Sequence, residues 1–208
     1  MVRVLYVEKK PEFASKSEEL LKEIQEVLQI SGVERVRILN RYLVEDLSDE
    51  AFQEAENTIF SEPPVDLVYH SLDAGEGRVI AVEYLPGQFD QRASSAEECL
   101  RFIAADEKPS VKSAVIYVIY GDITEDEEGK IKSHLINPVE AREASLEIPE
   151  TLKTIYPEPE KVAVLFGFTK YDEKKLETFR QDKGLAMDLA DLVMCRDYFK
   201  SVDRDPTI

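Results

Sequence analysis

The feature that most constrains this chain is that its order of elements starts twice. Val7-Glu8 corresponds to Val82-Glu83 and Pro11 to Pro86 at an offset of 75, while Ser15-x-x-Glu18 corresponds to Ser94-x-x-Glu97 at 79. Leu21 and Ile24 then fall on Leu100 and Ile103, Val33 and Tyr42 match Val111 and Tyr120 at 78, and Ile59-Phe60 match Leu135-Ile136 at 76. The first copy closes at Pro63-Pro64 and the second at Asn137-Pro138. Two ordinary units of one type can align by accident, but a matched proline, cap and tyrosine are not features of hydrophobic periodicity. The expectation is an α+β fold of two strand-helix-strand-helix units, with copies at about 1–72 and 77–145. Each is too small to bury its own apolar face, so the two should pack as a pseudo-twofold pair, like a homodimer joined into one chain.

Local patterns supply the elements. Residues 2–8 alternate and are rich in β-branched and aromatic types, which predicts a strand. Ser15-x-x-Glu18 predicts a capping box for a helix carrying Leu20, Leu21, Ile24, Val27 and Leu28, and Ser31-Gly32 ends it. Residues 36–44 predict a second strand, Asp46 or Ser48 opens a second helix through Phe52, Ala55 and Ile59, and Val65–Tyr69 is a short extended run. Beyond the second copy, Leu146–Pro149 and a Pro-rich stretch, Tyr156-Pro157-Glu158-Pro159, lead to Lys161–Phe166, which reads as a strong strand. Thr169 or Asp172 caps a helix with Leu176 and Phe179 that Gly184 ends, and Asp188 with Asp191 caps a last helix. The expected organisation is a duplicated domain at 1–150, an extended connection at 151–168 and an incomplete helical segment at 169–208, half of a small bundle that continues past Ile208.

Composition narrows the function classes. A formal net charge of -17 argues against a nucleic-acid or anionic-membrane partner. No signal peptide is expected ahead of the first strand, and no apolar run approaches the roughly 20 residues that span a bilayer. A cytoplasmic protein with reduced thiols is expected, with Cys99 and Cys195 structural or incidental. With only His70 and His134 beside those thiols, no metal-ligand spacing and no nucleophile-base set is visible, and no glycine-rich phosphate loop occurs. The acidic run Glu125–Glu128 reads as the N-terminus of a helix, where negative charge is favoured.

One stretch stands apart. Between the matched proline and the matched cap serine the first copy has three residues, Glu12-Phe13-Ala14, and the second has seven, Gly87-Gln88-Phe89-Asp90-Gln91-Arg92-Ala93. Four residues are expected as an insertion ahead of a helix N-terminus, a favourable place for an anion, with an arginine able to make bidentate contacts. Either this is a longer surface turn, or Gly87, Gln88, Asp90, Gln91 and Arg92 form a binding or interface site.

Leu85-Pro86-Gly87-Gln88-Phe89-Asp90-Gln91-Arg92-Ala93, together with Gly184-Leu185-Ala186-Met187, Asp197-Tyr198-Phe199-Lys200-Ser201 and Pro206-Thr207, resembles the N-terminal part of the large, single-chain phosphoribosylformylglycinamidine synthases of purine biosynthesis. The resemblance covers essentially the whole chain. It implies that residues 1 to about 150 stand in for a dimer of the small subunit of the split enzyme, and that residues from about 168 begin a helical linker domain. Such enzymes are ligases that convert formylglycinamide ribonucleotide, glutamine and ATP to the amidine, with magnesium. Ammonia passes internally from a glutaminase domain to a synthetase domain.

The Ser/Asp-His-Cys-Arg-His segment expected after Ile208, the ATP- and magnesium-binding synthetase halves and the glutaminase triad are not in these residues. No catalytic residue, metal or cofactor therefore carries over, and these residues alone are expected to be inactive. The partners implied are the synthetase and glutaminase domains of the same polypeptide; the parent is expected to be monomeric, and the isolated chain able to self-associate. Two alternatives stand beside this: a free-standing tandem regulatory module binding a small metabolite between its two copies, and a plain scaffold protein complete at 208 residues.

Overall fold

Alternation of apolar residues along the long strands gives the sheet two buried faces. The computed structural model describes residues 1–153 and 158–208, and the chain divides into two units, Met1–Thr154 and Ile155–Ile208. The first holds strands β1 (Arg3–Lys9), β2 (Val33–Glu45), β3 (Asp66–Tyr69), β4 (Arg78–Tyr84), β5 (Ser110–Gly121) and β6 (Ala141–Glu143). Its helices are α1 (Ser15–Glu26), α2 (Asp49–Thr58), α3 (Gln91–Ile103) and α4 (Glu125–Leu135). The class is α+β.

All six strands form one antiparallel sheet in the order β3-β1-β2-β5-β4-β6, which reads the same from either edge when the halves are exchanged. The ladders carry the same relation residue by residue. Arg3 pairs with Val44 and Arg78 with Ile119; Val7 pairs with Val68 and Val82 with Glu143; every residue in the second pairing lies 75 positions after its counterpart. The long β2·β5 ladder joins the halves, with Asn40 opposite Val115 at its centre. The short outer strands β3 and β6 leave little free edge for further pairing.

The core is built across the halves. Leu20 and Ile24 of α1 meet Ile131 of α4 over Val36, Ile80 and Ile119, while Phe52 and Ala55 of α2 meet Ala96 and Leu100 of α3 over Leu5, Val7, Tyr42 and Val44. Neither half encloses either cluster alone. On the opposite face Tyr6, Leu39, Ile116 and Val118 are covered by irregular chain, including Leu72, Ala74 and Ala144. Two charged residues of β2 pin this cover. Arg41 donates to the Ser145 carbonyl at 2.6 Å, and the Glu45 carboxylate accepts from Thr151 Oγ1 at 2.9 Å and the Leu152 N–H at 2.8 Å.

In the second unit a 3-10 turn (Phe168–Lys170) precedes α5 (Glu173–Lys183) and α6 (Leu189–Ser201), packed around Phe168, Leu176 and Leu192. Asp172 rather than Thr169 caps α5, Gly184 closes it with φ +60°, and Asp188 with Asp191 forms a capping box on α6. The strand expected at Lys161–Phe166 is absent. Its residues form an isolated bridge, Val164 with Thr207, flanked by hydrogen bonds from the Leu165 N–H to the Pro206 carbonyl at 2.8 Å and from the Ile208 N–H to the Ala163 carbonyl at 3.0 Å, and among the described residues no longer ladder runs alongside them; Val162 and Phe166 are exposed. Of the Pro-rich connection, Tyr156 and Pro157 lie outside the described residues.

Candidate functional site

Pro86 and Gly87 turn the chain from β4 towards α3. The Leu85 carbonyl accepts from the Gln88 N–H at 3.0 Å across a turn with proline second and glycine third, and Gly87 has φ +93°. That is the type II pattern, whose third position favours glycine for its backbone freedom. Gln88 and Phe89 beyond it are exposed.

The cap of α3 is Asp90, not Ser94. Its Oδ1 accepts from the Ala93 N–H at 2.9 Å, its Oδ2 from the Ser113 N–H at 3.0 Å, and the Ser113 hydroxyl donates to the same carboxylate at 2.9 Å. β4 pairs with β5 only as far as Val82 opposite Val115, so the edge of β5 beyond that point needs other acceptors. Asp90 serves Ser113, and Glu97 accepts from the Val111 N–H at 2.8 Å instead of closing a box with Ser94. Ser94 and Ser95 lie inside the helix. Likewise α1 starts at Ser15 behind Ala14, without a side-chain cap.

These caps remove the expected insertion. The connection from β1 to α1 is Lys10–Ala14 and that from β4 to α3 is Leu85–Asp90, one residue longer, and Gln91, Arg92 and Ala93 are helical. The tyrosine match also shifts. By ladder position the counterpart of Tyr42 is Tyr117, since Tyr42 stands opposite Leu5 and Tyr117 opposite Ile80, each 75 residues on. Tyr120, opposite Arg35, is on the other face.

Both tyrosines line a groove of about 650 Å³ beside α3. Gln91, Arg92, Ser95, Ala96 and Cys99 of α3 form one wall, the chain from Leu135 to Ala141 contributes another, and Val82, Ser113 and Val115 belong to the floor. The Arg92 guanidinium donates to the Tyr42 hydroxyl at 3.3 Å. Glu83 is held by Arg142 at 2.7 Å. Burial pushes the Tyr117 hydroxyl above its ordinary value of 10.0, because the charged form would lose its hydration.

Comparison with models of known protein families and with curated proteins finds no match.

Of the five candidates, Gln91 and Arg92 line the groove, Asp90 stands at the head of its α3 wall as a fold contact, and Gly87 and Gln88 sit on the turn outside the lining. Tyr117, Ser113 and Glu140 line the groove without being singled out in the sequence, where Tyr42 enters only as a repeat match and Cys99 only as structural or incidental. One signal was available: Ser113 is the polar exception in the alternating face Val111, Val115, Tyr117 and Ile119. With a cation, hydroxyls and an apolar floor, the groove is suited to binding. No histidine is among its lining residues. Among the described residues no group of His, Cys, Asp and Glu side chains could hold a metal ion, and no helix is long and apolar enough to cross a membrane.

Proposed function

We propose that this chain is the N-terminal docking domain, with the beginning of the linker, of a cytoplasmic phosphoribosylformylglycinamidine synthase. Its role is to hold the glutaminase against the synthetase and help enclose the ammonia passage; ATP and magnesium belong to the synthetase domain. The observation that carries the reading is the sheet. A side-by-side pair of small β-α-β-α-β subunits joined through their second strands has a strand order that reads the same from both edges and ladders that repeat at a constant offset, as here at 75. Two halves descended from one such subunit account for both. The motif from Leu85 to Ala93 supports the same reading, with Asp90 fixing α3 to β5 and Gln91 and Arg92 left exposed.

The experiment is to read the gene past codon 208 and co-express this chain with whatever follows. The reading expects a Ser/Asp-His-Cys-Arg-His segment downstream, co-purification of the two pieces, and glutamine-dependent amidation that needs both. A stop codon after Ile208, or full turnover from the remainder alone, sinks it.

A further inference from the structure

We propose that the groove beside α3 is a binding site for a free amino acid with an apolar side chain, a role separate from docking. Its size fits: small-molecule sites typically enclose about 300–1,000 Å³, and this one is about 650 Å³.

The side chains of the two helices differ where α3 borders the groove. The buried positions of α1 are Leu20 and Ile24, and those 76 residues on in α3 are Ala96 and Leu100. Where α1 fills the space over the sheet with a leucine, α3 presents a methyl group. Ser95 and Cys99 likewise stand where α1 has Glu19 and Glu23, so beyond Arg92 this wall carries small uncharged side chains.

Charge then selects the ligand. Arg92 is the one cation among the described residues of the lining. Of the two acidic residues in the lining, Glu83 is paired with Arg142, while Glu140 is exposed and has no cationic partner among the described residues. One cation and one unpaired carboxylate suit a zwitterion and oppose a phosphate dianion. The hydrogen bond from Arg92 to Tyr42 is long, at 3.3 Å, and goes to a neutral oxygen, so a carboxylate replaces it at a gain. The floor between is apolar at Val82 and Val115, which receives the side chain.

Isothermal titration calorimetry on the whole chain tests this with L-phenylalanine and L-leucine, against L-phenylalaninamide, which lacks the carboxylate, and N-acetyl-L-phenylalanine, which lacks the ammonium. Saturable binding of at least one amino acid at one site is expected, with both derivatives weaker by about tenfold or more. Arg92→Ala should weaken binding about 10- to 100-fold, and Ala96→Leu, which copies the other half, should abolish it. Where Ala96→Leu lowers the melting temperature, Cys99→Leu on the exposed side of the helix blocks the groove instead. No saturable heat with either amino acid overturns the proposal, as does Arg92→Ala binding like the wild type or N-acetyl-L-phenylalanine binding as tightly as the free amino acid. Docking is read by co-purification, so either proposal can fail without the other.

Discussion

Asp90→Ala separates two accounts of the turn before α3. The carboxylate caps the helix through Ala93 and satisfies both the N–H and the hydroxyl of Ser113. Loss of an N-cap costs about 1 kcal/mol. Stranding the part-buried Ser113 N–H, whose strand edge β4 does not reach, adds about 1–3 kcal/mol, and the lower half of that range applies because Asp90 itself is half-exposed. The sum is about 2–3 kcal/mol, or a fall in melting temperature of roughly 4–12 °C for a domain of this size. Asp90→Asn keeps one acceptor oxygen but places an NH2 donor where the other stood, so either the Ala93 or the Ser113 N–H loses its acceptor and about 1–2 kcal/mol should be lost. Ser94→Ala, which would lose about 1 kcal/mol if Ser94 were the cap, should stay within about 0.5 kcal/mol of the wild type because Ser94 is an interior helical residue. Urea unfolding followed by circular dichroism, with equal slopes for all variants, measures each difference. A Ser94→Ala cost equal to that of Asp90→Ala, or an Asp90→Ala curve that overlays the wild type, refutes the assignment.

Three further predictions follow from single contacts. Arg41 is 3% exposed, donates to the Ser145 carbonyl and has no acceptor for its Nε among the described residues; Arg41→Met should stay within about 1 kcal/mol of the wild type and Arg41→Ala lose about 2–4 kcal/mol in urea unfolding, whereas equal losses would show that the charge, not the volume, holds the 144–153 cover. The hydrogen bond from Arg78, helped by Lys132, holds the Glu128 carboxyl below its ordinary value of 4.5, so its contribution is present above that pH and lost as pH falls through the lower folded value; Glu128→Gln should therefore show a shallower acid loss of stability below about 4.5 than the wild type, and parallel curves would count against the pairing. Gly121 has φ +134°, and a Cβ there would stand 2.0 Å from the Gly32 carbonyl oxygen; in urea unfolding Gly121→Ala should lose at least about 3 kcal/mol from backbone strain and the clash together, whereas Gly87→Ala, with nothing within 4 Å, should lose only about 1–2 kcal/mol of strain.

What was legible in the sequence is what local chemistry decides. The alternating strands, the helix stripes, the Asp188 cap with Asp191 and the Gly184 stop all depend on neighbours a few residues away, and each is where the pattern puts it. What failed depends on partners far along the chain. Lys161–Phe166 has a strand's composition but no ladder beside it, and composition alone cannot supply one. Matching identical residue types set Ser15 on Ser94 and Tyr42 on Tyr120, yet identity of type is not identity of environment: the ladders repeat at 75 and the buried helix positions at 76. The offsets of 78 and 79 paired an interior serine with a helix start and a groove tyrosine with one on the opposite face. Once the register is set by hydrogen-bond partners, the second half differs from the first less in the length of its turn than in what α3 carries. Asp90 and Glu97 point acceptors at the unpaired edge of β5, and Arg92, Ser95, Ala96 and Cys99 border the groove, with Ala96 at the position where α1 carries the buried Leu20. The same helix thus secures the sheet where β4 stops and shapes the groove.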